Sequence, residues 1–195
     1  MQRYKNSQYF QLKIPNIFNL NRIINYFNHI LSRKTISKKC RVTIPLQQFM
    51  KKKQYLYMLF GLLRRMGLNY KDFEQLYRRM VFNVIARNHD DHTKNFSFLM
   101  DKTGHWSFAP AYDLCYSYNP AGRWTSRHQL SLNSKTDDFT RADLLAVAQN
   151  IGIRDANHIV EEIRASVASW PDTAKHCGVR PEHIDAIGNT LLLNI

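Results

Sequence analysis

What most constrains this chain is a change of apolar rhythm between Phe73 and Asp113. Phe73, Leu76, Tyr77, Met80, Val81, Val84 and Ile85 recur at helical spacing. Asp72 with Gln75 three residues on has the form of a capping box, which places the start of the helix there. The helix is expected to end near Arg87 and Asn88. The run Asn88-His89-Asp90-Asp91-His92-Thr93-Lys94-Asn95 that follows holds no apolar side chain. It reads as a loop delivered from a buried support. Phe96 to Met100 then reads as a short strand, Asp101-Lys102-Thr103-Gly104 as a turn, and His105 to Ala109 as the returning strand. A hairpin brings its two ends together, so Asn95 and Asp113 can approach each other across eighteen residues.

That approach suits phosphoryl transfer from ATP. The chemistry needs a carboxylate to accept the proton of the attacking hydroxyl, and an amide oxygen with a second carboxylate to hold Mg²⁺ against the phosphates. Asp90 and Asn95 have the five-residue offset of the protein-kinase catalytic loop. Asp90 is the candidate base, and Asn95 and Asp113 are the candidate metal ligands. Lys94 can face the transferring phosphate, or pair with Asp90 and hold it. His92 is a candidate loop organiser, and Asp91 is either exposed or braces the loop. A rival reading is a transition-metal site built from the His and Asp residues here, with Asp113, His105 and His128, activating water as in a phosphohydrolase. Asn95 and the following hairpin favour the kinase-type loop.

Beyond Asp113, a loop rich in Tyr, Pro, Gly and Trp runs from Tyr116 to Trp124. Arg123, Arg127 and His128 are placed to meet an anionic or polar partner, or to sit in a solvated loop pinned by aromatic packing. Gln129 to Asn133 reads as a short strand. Three helices are expected after it. The first opens on a Thr140/Asp143 capping box and stops at Gly152. The second carries Ile159, Val160, Ile163 and Val167 and ends at Pro171. The third opens on Pro181 and carries Ile184, Ile187, Leu191 and Leu192. These faces are core, and they carry no chemistry.

Charge divides the chain. No Asp or Glu precedes Asp72, whereas residues 1–71 hold fifteen Lys and Arg. From residue 81 onward there are eleven basic and thirteen acidic residues. Residues 1–55 form a basic segment of open fold. Lys38-Lys39-Cys40-Arg41 and Lys51-Lys52-Lys53, with Tyr9, Phe10, Tyr26 and Phe27 upstream of them, suit nucleic acid. A degenerate remnant is nevertheless the favoured reading of this segment, with nucleic-acid or membrane-surface contact and an ordinary packing element as the alternatives. Cys40, Cys115 and Cys177 lack metal-type spacing, and their odd number fits a reducing cytosol better than a disulfide framework. No stretch is apolar and long enough to span a membrane, and residues 1–20 lack the pattern of a signal peptide.

The run from about Arg64 to the C-terminus, roughly two-thirds of the chain, resembles the C-terminal part of the HipA family. These are bacterial serine/threonine kinases, the toxins of type II toxin–antitoxin systems. The matching pieces include Asn83 to Asn88, Asp90 to Phe98, Pro110-Ala111-Tyr112-Asp113-Leu114 and Trp124 to His128. The resemblance implies an α+β, mainly α-helical fold for residues 56–195: a protein-kinase-like C-lobe whose short β-hairpin carries the catalytic and metal-binding loops. It implies Asp90 as the catalytic base, Asn95 and Asp113 as Mg²⁺ ligands, and Lys94 and His92 as phosphate-facing or loop-organising residues around ATP. It also implies a protein substrate, with aminoacyl-tRNA synthetases the expected class, a DNA-binding antitoxin through which DNA is reached, and a bacterial cytoplasmic setting.

The family's small lobe has no counterpart here. The seven glycines are too dispersed to form a phosphate cradle. The expectation is a lobe that is inactive alone and completed by a separate small-lobe polypeptide. The alternative is a non-catalytic fragment that binds an antitoxin or DNA.

Overall fold

A computed structural model describes Val42–Pro45 and residues 56–195. The basic clusters, Cys40 and the aromatic residues singled out before residue 42 lie outside these residues, as does Lys51-Lys52-Lys53. The architecture is α+β and mainly helical, with six helices and one small sheet among the described residues.

The sheet has three antiparallel strands in the order β1-β2-β3: β1 Val42–Pro45, β2 Ser97–Met100 and β3 Trp106–Phe108. The expected hairpin is β2-β3, with Phe98 opposite Phe108 and Met100 opposite Trp106. Its turn is closed by Asp101, whose Oδ1 accepts from the Thr103 N–H at 2.8 Å and the His105 N–H at 3.0 Å. The third strand adds to the expectation: β1 pairs along β2, with Val42 opposite Met100 and Pro45 opposite Ser97.

The helices are α1 Leu56–Arg65, α2 Tyr70–Ile85, α3 Arg141–Ile151, α4 Ala156–Ala168, α5 Trp170–His176 and α6 Pro181–Gly188. The central one is α2. It packs on α4, α1 and α3, and Leu76, Tyr77, Met80, Val81, Val84 and Ile85 are all buried. A helix apolar over most of its circumference must be covered on several sides. Its capping box is Asn69 with Asp72, each side chain bonding the other's backbone N–H region, so Asp72 closes the box and does not open it with Gln75. The helix stops at Ile85, slightly before the expected end, with Ala86 as its C-cap.

The later helices follow local rules with two corrections. The Thr140/Asp143 box opens α3, and Gly152, at φ 78°, closes it in the left-handed region that glycine enters without steric cost. Four helices follow the loop instead of three: α4 ends at Ala168, and Pro171 sits in the first turn of the separate α5. Proline suits a first turn because its missing N–H has no partner to lose there. Pro181 opens α6 as expected, but that helix stops at Gly188. Leu191 and Leu192 pack against the core after it, with the Leu192 N–H bonded to the Ile85 carbonyl at 3.0 Å. Gln129 to Asn133 is not a strand. Leu132 bridges to Lys135 across Asn133 and Ser134, which turn the chain at φ 49° and 65°.

Candidate functional site

The chain leaves α2 through a left-handed residue. Arg87 has φ 56°, uncommon for a side chain with a Cβ. Its guanidinium is fixed from three sides. Nε donates to the Thr190 carbonyl at 3.0 Å, Nη1 lies 3.3 Å from Asp137 Oδ1, and the group sits 4.4 Å over the Tyr118 ring. The C-terminal segment thereby sets the direction in which the polar run departs.

The buried side chain of Asn88 then joins three segments. Its Nδ2 donates to Asn83 Oδ1 at 3.0 Å and approaches the Asp113 carbonyl at 3.5 Å. Its Oδ1 accepts from Ser117 Oγ at 3.0 Å and from Cys115 Sγ at 3.7 Å. Ser117 Oγ in turn accepts the Asp90 N–H at 2.8 Å.

Asp90 is half-buried, and His92 Nε2 lies 3.6 Å from its Oδ1. The Asn95 amide donates to the Asp90 carbonyl at 2.9 Å. That bond engages the amide nitrogen, and among the described residues none donates to Asn95 Oδ1. Thr93–Asn95 form one turn of 3-10 helix that presents Lys94 to solvent. Tyr112, beside Asp113, donates from its hydroxyl to the Lys94 carbonyl, beside Asn95, at 2.6 Å. The segments carrying Asn95 and Asp113 are therefore brought together, as the hairpin required. Asp113 is exposed at φ 54°, and none of the described residues bonds its carboxylate. An amide oxygen and a carboxylate are hard oxygen donors of the kind Mg²⁺ takes alongside substrate phosphates.

The arm between β3 and Asp113 is clamped by α2. Asp72 Oδ1 accepts the Phe108 N–H at 3.1 Å. Buried Arg79 donates from Nη2 to the Ala109 carbonyl, with its guanidinium 3.9 Å over the Phe108 ring. Burial pushes the Arg79 pKa down to about 9, partly offset by Tyr112 and Asp72.

Three open readings are decided. Asp91 is buried and braces the loop, the second of its two expected roles: its Oδ1 accepts the N–H groups of Gln129 at 2.7 Å and Leu130 at 3.1 Å, and its Oδ2 lies 2.9 Å from His128 Nδ1. His128 therefore does not face a partner. It is buried on Asp91, between His89 at 4.1 Å and Phe139 at 5.1 Å, ring to ring. Lys94 does not pair with Asp90 among the described residues; the His92 ring lies beside that carboxylate instead. With His128 committed to Asp91, no three His, Cys, Asp or Glu side chains among the described residues gather into a metal cluster. Arg123 and Arg127 are exposed, and Arg123 lies over the Trp124 ring at 5.0 Å.

His89 is fully buried, and neither ring nitrogen has a well-formed hydrogen bond, although the Thr125 backbone lies close enough to favour the protonated ring. Burial, then His128 and Arg87, push its pKa down to about 3, so the ring is neutral at pH 7. Beside Asp91 and His128 the interior leaves a cavity of about 10 Å³, room for one water at most.

The sequence assigns no task to the braces Arg79, Asn83, Asn88, Tyr112 and Ser117, although Asn83, Asn88 and Tyr112 stand within the matching motifs. One signal was present. Arg79 and Asn83 lie four apart among apolar positions of α2, and a polar side chain on a buried helical face needs a partner.

The chain matches the family model of the HipA-like C-terminal domain over residues 32–170. No curated protein matches it. Among solved structures, it is similar to a chain of the Shewanella oneidensis MR-1 toxin–antitoxin complex of HipA, HipB and operator DNA. The identity is 18%, the TM-score 0.54, and the match covers 73% of this chain and 34% of that one. The likeness at that identity is one of fold, and the chain spans about a third of the solved relative's length. With the family model covering well over half of its residues, the chain belongs to the HipA-like C-terminal domain family.

Proposed function

We propose that the chain is the catalytic lobe of a HipA-type serine/threonine-protein kinase, transferring the γ-phosphate of ATP to a protein hydroxyl. The observation that supports this most is the stitching of the Asn95 and Asp113 segments by the Tyr112–Lys94 bond, beside a half-buried Asp90 whose carbonyl orients the Asn95 amide.

In this reading Asp90 accepts the proton of the attacking hydroxyl through a carboxylate oxygen. Asn95 Oδ1 and the Asp113 carboxylate would hold Mg²⁺, which when bound would supply charge neutralisation for the transferring phosphoryl group. His92, close to Asp90, steadies the base. Lys94, exposed beside the site, adds positive charge toward the phosphates. None of the described residues forms a glycine-rich cradle, and the seven glycines of the sequence are dispersed. Positioning carries most of the rate enhancement in phosphoryl transfer, so activity would require a small lobe, for which a separate small-lobe polypeptide is one source. A protein substrate of the aminoacyl-tRNA synthetase class, a DNA-binding antitoxin that links the toxin to DNA, and a bacterial cytoplasmic setting complete the proposal. None of the described helices is long and apolar enough to cross a membrane.

The test is Mn²⁺·ATP binding by water-proton relaxation, a method sensitive to weak complexes. Wild type and Asp90→Ala should both show enhancement, and Asp113→Ala should lose it. Equal enhancement in Asp113→Ala, or none in wild type, overturns the proposal.

A further inference from the structure

We infer that Asn88 is the positioning residue that couples the proton-accepting arm of the site to its metal-holding arm. The inference rests on the kinase reading above and deepens it, because Asn88 itself touches no reacting atom.

The argument is one of hydrogen-bond accounting. A primary amide has two N–H donors and one oxygen with two lone pairs. In Asn88 both ends are used, and they serve different loops. The oxygen takes the hydroxyl of Ser117 at 3.0 Å and the thiol of Cys115 at 3.7 Å. With its own hydrogen committed to Asn88, the Ser117 oxygen is left to accept the Asp90 N–H at 2.8 Å. That is the only orientation in which the hydroxyl can serve both partners. The amide nitrogen goes the other way, to the carbonyl of Asp113 at 3.5 Å, and is steadied by Asn83 Oδ1 at 3.0 Å.

Both ends of the link need holding. Asp113 is in the left-handed region at φ 54°, a conformation that persists only when its surroundings fix it. The Asp90 backbone is held from the other side by the Asn95 amide. The buried Asn83, two residues from the end of α2, anchors Asn88 to the rigid core. A shift of base against metal of even one ångström is the kind of error that costs a phosphotransferase most of its rate. Asn88 sets that separation with a single side chain, bonded to Ser117 at 3.0 Å and reaching the Asp113 carbonyl at 3.5 Å.

The two ends can be tested separately in the full chain. Asn88→Asp keeps an oxygen for Ser117 and Cys115 but removes the donor to Asp113 and Asn83. Asn88→Ala removes both ends. Two readouts are needed: Mn²⁺·ATP affinity by water-proton relaxation, and hydrogen exchange of the Asp90 amide by NMR.

Asn88→Asp should bind Mn²⁺·ATP about tenfold more weakly while the Asp90 amide stays as protected as in wild type. Asn88→Ala should lose affinity and also speed Asp90 exchange about tenfold. A residue that merely supports the fold would move both readouts together, so equal behaviour of the two variants overturns the inference, as does unchanged affinity in both. Should the two variants fail to fold, Asn83→Ala asks the same question more gently: a several-fold loss of affinity supports the link and wild-type affinity overturns it. Asp113→Ala separates the levels. If it abolishes Mn²⁺·ATP binding and Asn88→Asp leaves binding intact, only the coupling role falls. If Asp113→Ala binds like wild type, the kinase reading falls and takes the coupling role with it.

Discussion

The polar loop between α2 and the hairpin and the helical body formed by α3 to α6 are stabilised in different ways. The body is held by apolar contact. Leu144, Val147, Ile159, Val160, Ile163 and Val167 are buried, and its helix ends are closed by a capping box, a left-handed glycine and first-turn prolines. The loop has almost no apolar residue. It is held by directed bonds of Asn88, Asp91, Asn95 and Ser117, with Arg87 and Asp113 both at positive φ and the ring nitrogens of His89 buried without good partners. Apolar packing tolerates small errors, whereas a directed network fails when one member is lost. The loop therefore has a fixed geometry at the expense of stability, as a site that must position reacting groups requires.

The sharpest way to break the contrast is to remove one brace from the loop and one wedge from the body. Asp91→Ala strips partners from His128 Nδ1 and from two backbone N–H groups at once. Leaving several buried donors unmet should cost about 4 kcal/mol. Ile163→Ala leaves a cavity in the core beside α2 and should cost about 3 kcal/mol. Urea denaturation gives both totals. Native-state hydrogen exchange shows where they act: Asp91→Ala should expose amides of residues 88–95 preferentially, and Ile163→Ala should lower protection across α2 and α4 together. Uniform loss in both variants would mean that loop and body are one cooperative unit and that the contrast is wrong.

A pH titration sharpens the same contrast with a smaller effect. Buried His89 has its pKa lowered to about 3 from an ordinary value near 6.5. The unfolded chain therefore binds a proton that the folded chain refuses, and loop stability is lost as pH falls from about 6.5 toward 3. In the body, Asp143 is pushed up by burial but pulled further down by Lys135, Thr140 and Asn133, to about 2. Its contribution is present above the ordinary carboxylate range and is lost only as pH falls from about 4 to 2. Amide protection corrected for intrinsic rates should therefore drop first around residue 89, near pH 6, and at the start of α3 only below pH 4. Replacing His89 with Phe should remove the early step. An early step that survives that replacement would place the sensitive group elsewhere.

The body was readable in the sequence and the loop was not, for a physical reason. Helix caps, first-turn prolines and a terminal glycine act within four residues, so Thr140, Asp143, Gly152 and Pro181 announce their roles locally. Pro171 misled only because proline both ends one helix and begins the next. Gln129 to Asn133 alternates like a strand, but Asn133 and Ser134 adopt turn conformations that alternation cannot report. That the segments carrying Asn95 and Asp113 meet was readable from the hairpin between them. Their braces were not. Asp91 meets His128 across 37 residues, and Asn88 meets Ser117 across 29. No local rule links such pairs, and a polar residue in a polar run gives no sign of whether it is buried.

The smallest expected effect has the opposite sign. Asp113 and Asp155 share the same backbone state, φ 54°, one in the site and one at the start of α4. Among the described residues the Asp113 carboxylate has no partner, and the Asp155 side chain makes no capping bond. Glycine removes the steric penalty of the left-handed region but adds freedom to the unfolded chain, so Asp113→Gly and Asp155→Gly should each raise stability by about 0.5 kcal/mol. Paired denaturation curves would resolve such a gain, and Mn²⁺·ATP relaxation should then separate the two: lost in Asp113→Gly, unchanged in Asp155→Gly. The same strain would thus be incidental in the body and functional in the loop. A loss of more than about 1 kcal/mol in Asp113→Gly would show that the carboxylate supports the fold, and the case for Asp113 as a ligand held ready for a cation would weaken accordingly.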